Sequence, residues 1–359
     1  MLIGVPRETK NHECRVGLTP ASVGHLVSIG HEVWVEENAG TKIGFDDDQY
    51  RKCGASIVND KRAFSGELIV KVKEPSIFEC ELISSNQILF CYLHLAAEKA
   101  LTEVLLKRKI SAIAYETVLD DQGRLPLLSP MSAVAGRLSV QVGANALLAS
   151  RGGRGKLLGG VPGVSPGKVV ILGGGVAGTN AATIATGMQA EVVVIDKSAD
   201  RLGELSLIFN QTAKTLMASQ DVISHEIQNA DLVIGSVLIP GAKTPKLIDR
   251  ALLRSMVPGS VLVDVAIDQG GTFETSRPTT HDAPTYLEED IVHYCVTNMP
   301  GEVALTSTLA LNNVTLPYVE LLATAGIKEA FKKVQGFASG LNTYNGTIVH
   351  ATIAAEYGA

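Results

Sequence analysis

None of the five cysteines, Cys14, Cys53, Cys80, Cys91 and Cys295, forms a CxxC pair or a zinc-type cysteine–histidine spacing. An odd, scattered set excludes a disulfide framework, and no metal site is expected from it. Such usage fits a reducing compartment and predicts a cytoplasmic protein. Like-charge runs of five or six residues are missing too, and the net charge is -6. Nothing therefore offsets the repulsion of phosphates, which argues against nucleic acid or an anionic membrane as partner. An uninterrupted apolar run of membrane-spanning length is also absent. The start, Met-Leu-Ile-Gly-Val-Pro-Arg-Glu, turns polar too soon for a secretory leader. The most membrane-like stretch, 131–150, is broken by Arg137, Gln141 and Asn145 and reads as a long buried helix. No repeat of solenoid period is visible.

What is present is an ordinary globular balance of 46% hydrophobic and 19% charged residues. A length of 359 residues suits roughly two domains. Short β-branched runs at 2–5, 32–35, 68–72, 88–93 and 110–114 alternate with helical spacing at 19–29 and 98–109. A glycine-dense loop at 152–163 precedes a second series of strands at 169–172, 191–195, 232–234, 261–265 and 292–296. Alternation of this kind predicts an α/β fold: two doubly wound parallel-sheet, Rossmann-like domains with a cleft between them. The expected domains are 1–128 and 129–306, followed by helical patterns at 316–334 and 348–356 in which Pro317 suits a first turn.

The strand Val169-Val170-Ile171-Leu172 runs into Gly173-Gly174-Gly175-Val176-Ala177-Gly178 and then a helical pattern. Gly173 permits the tight turn, Gly175 the approach of a pyrophosphate, and Gly178 close helix–strand packing. The pyrophosphate would rest on free N–H groups at the helix start. Val192–Ile195 leads to Asp196, 18 residues beyond Gly178 and placed for the ribose hydroxyls. An acid there repels a 2′-phosphate, so NAD is expected over NADP, although Lys197 and Arg201 stand close enough to counter it.

Ligands of open α/β sheets bind beyond the carboxyl ends of strands. In the first domain those ends carry Arg7, the Asn11–Arg15 loop, Lys73-Glu74, Tyr92 with His94, and Tyr115-Glu116. In the second they carry Ser236-Val237, Ile267-Asp268 and Asn298-Met299. Arg15 and Lys73 suit a substrate carboxylate. His94 suits the proton that accompanies hydride loss, and Asp268 suits water or a transient iminium. Each has a bland alternative: an ion pair for Arg15 or Lys73, a satisfied strand-end histidine for His94, a turn residue for Asp268, and core filling for Met131 and Met299.

Taken together, Gly4–Glu8, Asn11-His12-Glu13, Arg15-Val16-Gly17, Val72–Pro75, Tyr92–Leu95, Pro130-Met131-Ser132, Gly173–Gly178, Asp264–Gly271, Ser276–Thr280 and Asn298-Met299-Pro300 resemble the NAD-dependent alanine dehydrogenase family, in order and from residue 3 to about 349. The resemblance implies reversible oxidative deamination of L-alanine to pyruvate and ammonium with NAD. It also implies that 307–359 completes a substrate domain with 1–128, and that the assembly is a homohexamer. Carried over, Arg15 and Lys73 would bind the substrate carboxylate and carbonyl, and Tyr92 and Met131 would line its pocket. His94 would be the acid/base group and Asp268 the carboxylate for water and ammonia. Ser132, Val176, Ala177, Lys197, Arg201, Ser219, Val237, Leu238, Ile267, Asp268, Asn298 and Met299 would contact the cofactor, with Asp196 on the ribose.

The chain departs from the family pattern at Cys14, where an aromatic is usual, and at Ala133, where glutamate is common. Glu302-Val303-Ala304-Leu305 also stands where members usually have Ala-Val-Pro and a base. The alternatives are a soluble NAD-binding component of a transhydrogenase, which commonly has glutamate in place of Asp268, and a non-catalytic NAD-binding homologue.

Overall fold

The computed structural model describes residues 1–237 and 244–357, and the expected cofactor contact Leu238 lies outside them. The strands are β1 (Leu2–Val5), β2 (Glu32–Glu36), β3 (Ser56–Val58), β4 (Leu68–Val70), β5 (Ile88–Cys91), β6 (Ser111–Ala114), β7 (Lys168–Leu172), β8 (Glu191–Asp196), β9 (Lys214–Met217), β10 (Leu232–Gly235), β11 (Val261–Asp264), β12 (Thr285–Glu288), β13 (Ile291–Tyr294), β14 (Leu341–Tyr344) and β15 (Thr347–Ile348). The chain forms two compact units, Met1–Met131 with Val303–Ala359, and Ser132–Glu302.

The first unit holds an eight-stranded sheet in the order β15-β14-β6-β5-β4-β1-β2-β3. Its six strands from β6 to β3 are parallel, and β14 and β15 add an antiparallel edge. The second unit holds seven strands in the order β12-β13-β11-β10-β7-β8-β9, antiparallel only at β12. In both, the chain starts in the middle, winds to one edge, then returns past its start. That leaves a switch point between the first and fourth strands of each parallel set, β1/β4 and β7/β10.

The central strands are buried on both faces, so they are continuous apolar runs with helices covering them. One core gathers Ile69, Leu89, Leu93, Leu105, Ala112 and Ile353. The other gathers Val170, Val193, Val233, Leu262 and Phe273. The edges β3, β9, β12, β14 and β15 carry mixed or polar residues over two to four positions and escape a search for apolar runs.

The helix expected at 131–150 spans Ser129–Ala146, and Ala149–Arg151 forms a separate short turn. Pro317 does not open a helix. A helical run covers Ala304–Lys333, with Pro317 inside it and a backbone break at Gly326, φ 70° and ψ 170°. Tertiary contacts override the local signal. Thr308 and Asn312 accept hydrogen bonds from Val16 and Thr19, and Asn312 donates to the Gly17 carbonyl at 3.1 Å. Pro317 lies on the exposed side, where its missing N–H matters least. The C-terminal helix Ala351–Tyr357 anchors to the first unit through Ile353 and a 2.7 Å bond from the Tyr357 hydroxyl to the Leu95 carbonyl. No helix of the described residues is long and apolar enough to cross a membrane.

Candidate active site

In the first unit the candidate residues leave the carboxyl ends of β1, β4 and β5, and carboxylates hold Arg15 by its side chain and Lys73 and His94 by their backbone N–H groups. Arg15 is 2% exposed and meets Glu13 fork to fork, Nε to Oε1 at 2.7 Å and a terminal nitrogen to Oε2 at 2.6 Å. Its other terminal nitrogen lies 3.2 Å from the Met131 sulfur. Burial works against the guanidinium charge, but the Glu13 carboxylate outweighs it and holds the group above its ordinary range. The structure thus places Arg15 against Met131.

Beyond β4, Glu8 accepts the N–H groups of Val72 at 2.7 Å and Lys73 at 3.3 Å. The buried ammonium of Lys71 lies 3.3 Å from both Glu8 and Glu79. Burial disfavours that charge, yet the two carboxylates keep it above its ordinary value. Lys73 itself is partly open, with its ammonium 4.0 Å from Glu74. Glu74 is buried, which would raise it, but Lys73 and the hydrogen-bonded Lys10 hold its carboxyl below the ordinary value.

Beyond β5, Tyr92 is buried and donates to the Leu127 carbonyl at 2.6 Å; burial pushes its phenol upward. The His94 ring lies nearly parallel to that of Tyr92, with centroids 6.1 Å apart. His94 has φ 51°, a left-handed backbone unusual for a side chain of its size. Glu116, on the turn Tyr115–Thr117 after β6, accepts the His94 N–H at 2.7 Å and the Leu93 N–H at 3.2 Å. Glu8 was visible in the sequence only as a member of a motif and Glu116 only as a strand-end residue. Partners 64 and 22 residues away leave no local signal of their role.

In the second unit the glycine turn follows β7. Gly173 has φ 99°, and its N–H donates to the Ile195 carbonyl at 2.8 Å. A Cβ on Gly178 would stand 1.8 Å from the Gly173 carbonyl oxygen, so only glycine lets this helix approach its strand. Gly175 differs: a Cβ there would meet nothing within 4 Å, so the protein itself does not demand glycine. It opens the helix Val176–Gly187, whose first N–H groups receive no side-chain cap. Uncapped donors behind an open glycine face fit the pyrophosphate of a dinucleotide.

Asp196 ends β8, and its carboxylate accepts from Gly174 N–H at 2.6 Å and Ser198 N–H at 2.9 Å. Arg201 donates to the Gly174 carbonyl at 2.7 Å and to Thr179 at 2.6 Å, which ties the turn to its helix, whereas Lys197 is exposed. Val237 follows β10 across the switch point, its backbone nitrogen 3.0 Å from where a Cβ on Gly173 would stand. Ser219 caps the helix Gln220–Ile227 through Val222 N–H. The turn Ile267–Gln269 after β11 carries Asp268 and is closed by Gly270 at φ 93°. Buried Asp264 accepts from Ala266 and Thr272 N–H and from the Ser276 hydroxyl, which pins that loop. Burial pushes its carboxyl upward against those bonds.

After β13, Asn298 stands at φ 57° and accepts the Gly301 N–H at 2.8 Å, with Met299 buried behind it. Ser132 lies on the helix whose Gly136 packs against Ala177, where a Cβ would come within 2.1 Å of the Ala177 carbonyl. Glu302, one of the departures, pairs with His281 at 2.8 Å. Among the described residues no group of three His, Cys, Asp or Glu could hold a metal ion.

Family models for the alanine dehydrogenase/PNT N-terminal and C-terminal domains match residues 4–135 and 139–351. An alanine dehydrogenase of Staphylococcus epidermidis is 52% identical over 356 residues, covering 99% of this chain and 96% of that one. Another, of Halomonas elongata, is 51% identical over 360 residues, covering 100% and 97%. A solved L-alanine dehydrogenase superposes with a TM-score of 0.97 at 50% identity, covering 100% of this chain and 99% of that one. A transhydrogenase of Sinorhizobium meliloti superposes at 0.83 with 24% identity over 98% and 99%, a likeness of fold alone. With matches to both domains and half-identical relatives over its whole length, the chain belongs to the alanine dehydrogenase/PNT family, a pyridine-nucleotide-dependent family.

Proposed function

We propose that the chain catalyses reversible oxidative deamination of L-alanine to pyruvate and ammonium, with NAD as acceptor. The observation that carries this reading is the set of Arg15, Lys73 and His94, held by carboxylates through the side chain of the first and the backbone N–H of the other two, in a chain half-identical to alanine dehydrogenases over its length. The first unit acts as the substrate domain and the second as the NAD domain.

Arg15 and Lys73 take the substrate carboxylate and carbonyl, and Glu13 orients the Arg15 guanidinium before substrate arrives. Tyr92 and Met131 bound the methyl pocket. His94 moves the proton that accompanies amine oxidation, and Asp268 orients water and ammonia. Gly173, Gly175, Val176, Ala177 and Gly178 receive the dinucleotide, and Asp196 takes the adenosine ribose and repels a 2′-phosphate. Ser132, Ser219, Val237, Ile267, Asn298 and Met299 complete the cofactor contacts, with Lys197 and Arg201 beside them. The nicotinamide, when bound, accepts the hydride from the substrate carbon. The protein works in the cytoplasm as a homohexamer.

Purified protein should form NADH from NAD and L-alanine at alkaline pH, and should consume NADH with pyruvate and ammonium. Absence of turnover in both directions overturns the reading. Hydride exchange between nicotinamide nucleotides without alanine turnover would favour a transhydrogenase component instead. Solution mass measurement tests the hexamer.

A further inference from the structure

We propose that Glu302 is a positioning residue for Asn298 and Met299, on which it acts through His281. This rests on the cofactor contacts proposed for those two residues. The segment that carries them turns sharply after β13: Asn298 stands at φ 57°, and its carbonyl accepts the Gly301 N–H at 2.8 Å. The turn Met299–Val303 then runs straight into the helix that begins at Ala304, and Val303 gives that helix no side-chain cap. An uncapped junction leaves the far end of the turn without the usual local anchor. Glu302 supplies one. Its Oε2 lies 2.8 Å from Nδ1 of His281, whose side chain is 10% exposed against 54% for Glu302. The imidazole is thus the fixed partner and the carboxylate the one that is tied down.

His281 belongs to a loop, 276–284, that braces this segment at both ends. At the near end the Thr279 N–H donates to the Cys295 carbonyl at 2.9 Å, and the Thr297 N–H donates to the Thr279 carbonyl at 3.3 Å. At the far end the His281–Glu302 pair closes the brace, so Asn298 and Met299 lie between two ties to one loop. The loop is itself held. The Arg277 N–H donates to the Tyr286 hydroxyl at 2.9 Å, and the Arg277 guanidinium lies over that ring, 4.0 Å from its centroid. The Thr279 hydroxyl donates to the Pro284 carbonyl at 3.0 Å. Ser276 bonds to Asp264, the carboxylate that pins the loop of Ile267 and Asp268. A single brace therefore sets two loops that follow the paired strands β11 and β13. Glu302 touches no reacting atom; removing it frees only the far end of the segment.

A double-mutant cycle on the full-length enzyme, read by fluorescence titration with NADH and by steady-state kinetics, tests this. Glu302→Ala should weaken NADH and raise KM for NAD by about fivefold, with KM for L-alanine changed less than about twofold. A general loss of structure would not spare alanine in this way. Glu302→Gln, whose amide can still bond to Nδ1, should bind NADH within about twofold of wild type. His281→Ala should reproduce the loss, and the double variant should be no weaker than either single one. Unchanged NADH affinity in Glu302→Ala, or losses that add in the double variant, overturn the inference. Asn298→Gly, which keeps the positive φ and removes the side chain, separates this from the cofactor reading. If Asn298→Gly binds NADH normally, the contact proposed for Asn298 falls and this inference falls with it. If Asn298→Gly weakens NADH and Glu302→Ala does not, the inference alone is overturned. Should His281→Ala not fold, Glu302→Ala and Glu302→Gln decide the matter: an equal loss in both overturns it.

Discussion

A Cβ on Gly178 would lie 1.8 Å from the carbonyl oxygen of Gly173, whereas one on Gly175, three residues earlier, would meet nothing within 4 Å. Two glycines of one turn therefore serve different ends. Gly178→Ala must displace the turn, and should lower both the melting temperature and NADH affinity. Gly175→Ala should leave the melting temperature nearly unchanged yet weaken NADH by about tenfold, roughly 1.4 kcal/mol. Thermal denaturation and fluorescence titration with NADH separate the two.

Glu13 and Arg15 form a buried pair with side-chain exposures of 0% and 2%. Breaking a buried ion pair by removing one member typically costs about 3–5 kcal/mol. Glu13→Ala should show a loss of that order in denaturant unfolding, and a raised KM for L-alanine. Glu13→Gln keeps an acceptor and should lose less on both measures.

Asp196 is held by the Gly174 and Ser198 N–H groups, so its carboxylate is set in place beside the turn. Asp196→Ala should raise KM for NAD by about tenfold while narrowing the preference for NAD over NADP. An unchanged ratio of kcat/KM for the two cofactors would remove Asp196 from cofactor choice.

Glu226 meets Lys168 at 2.7 Å and Lys214 at 2.9 Å. Burial pushes its carboxyl up, but the bonds from the two lysines outweigh it and hold the group below its ordinary value of 4.5. A depressed folded pKa means that the stabilisation is complete above 4.5 and is lost as pH falls through the folded value. Glu226→Gln should destabilise the protein by about 2 kcal/mol at neutral pH. The gap to wild type should narrow below pH 4.5 in acid-dependent denaturation; a constant gap would show that Glu226 does not titrate in this way.

Residues that answer to their near neighbours were legible. The strand Val169–Leu172, the glycine turn and the acid at 196 announce themselves because a tight turn, a helix start and a buried parallel strand each restrict residue type locally. The strand ends carrying Arg15, Lys73, Tyr92 and His94 followed from the same patterns and one rule of topology. Short edge strands did not, since β3 and β15 bury too little to need apolar runs.

Sequence by itself therefore determined the doubly wound architecture, the dinucleotide turn and the identity of the cationic and imidazole groups. Tertiary structure alone decided how those groups are held. Pro317 lies within a helical run because Thr308 and Asn312, nine and five residues earlier on it, bond to the N-terminal loop nearly 300 residues away in sequence. Glu8 serves Lys73, and Glu116 serves His94, because parallel pairing brings the ends of β1 and β4, and of β5 and β6, side by side. A carboxylate that accepts a distant N–H imposes no pattern on its own neighbours. Its role exists only once the sheet has closed.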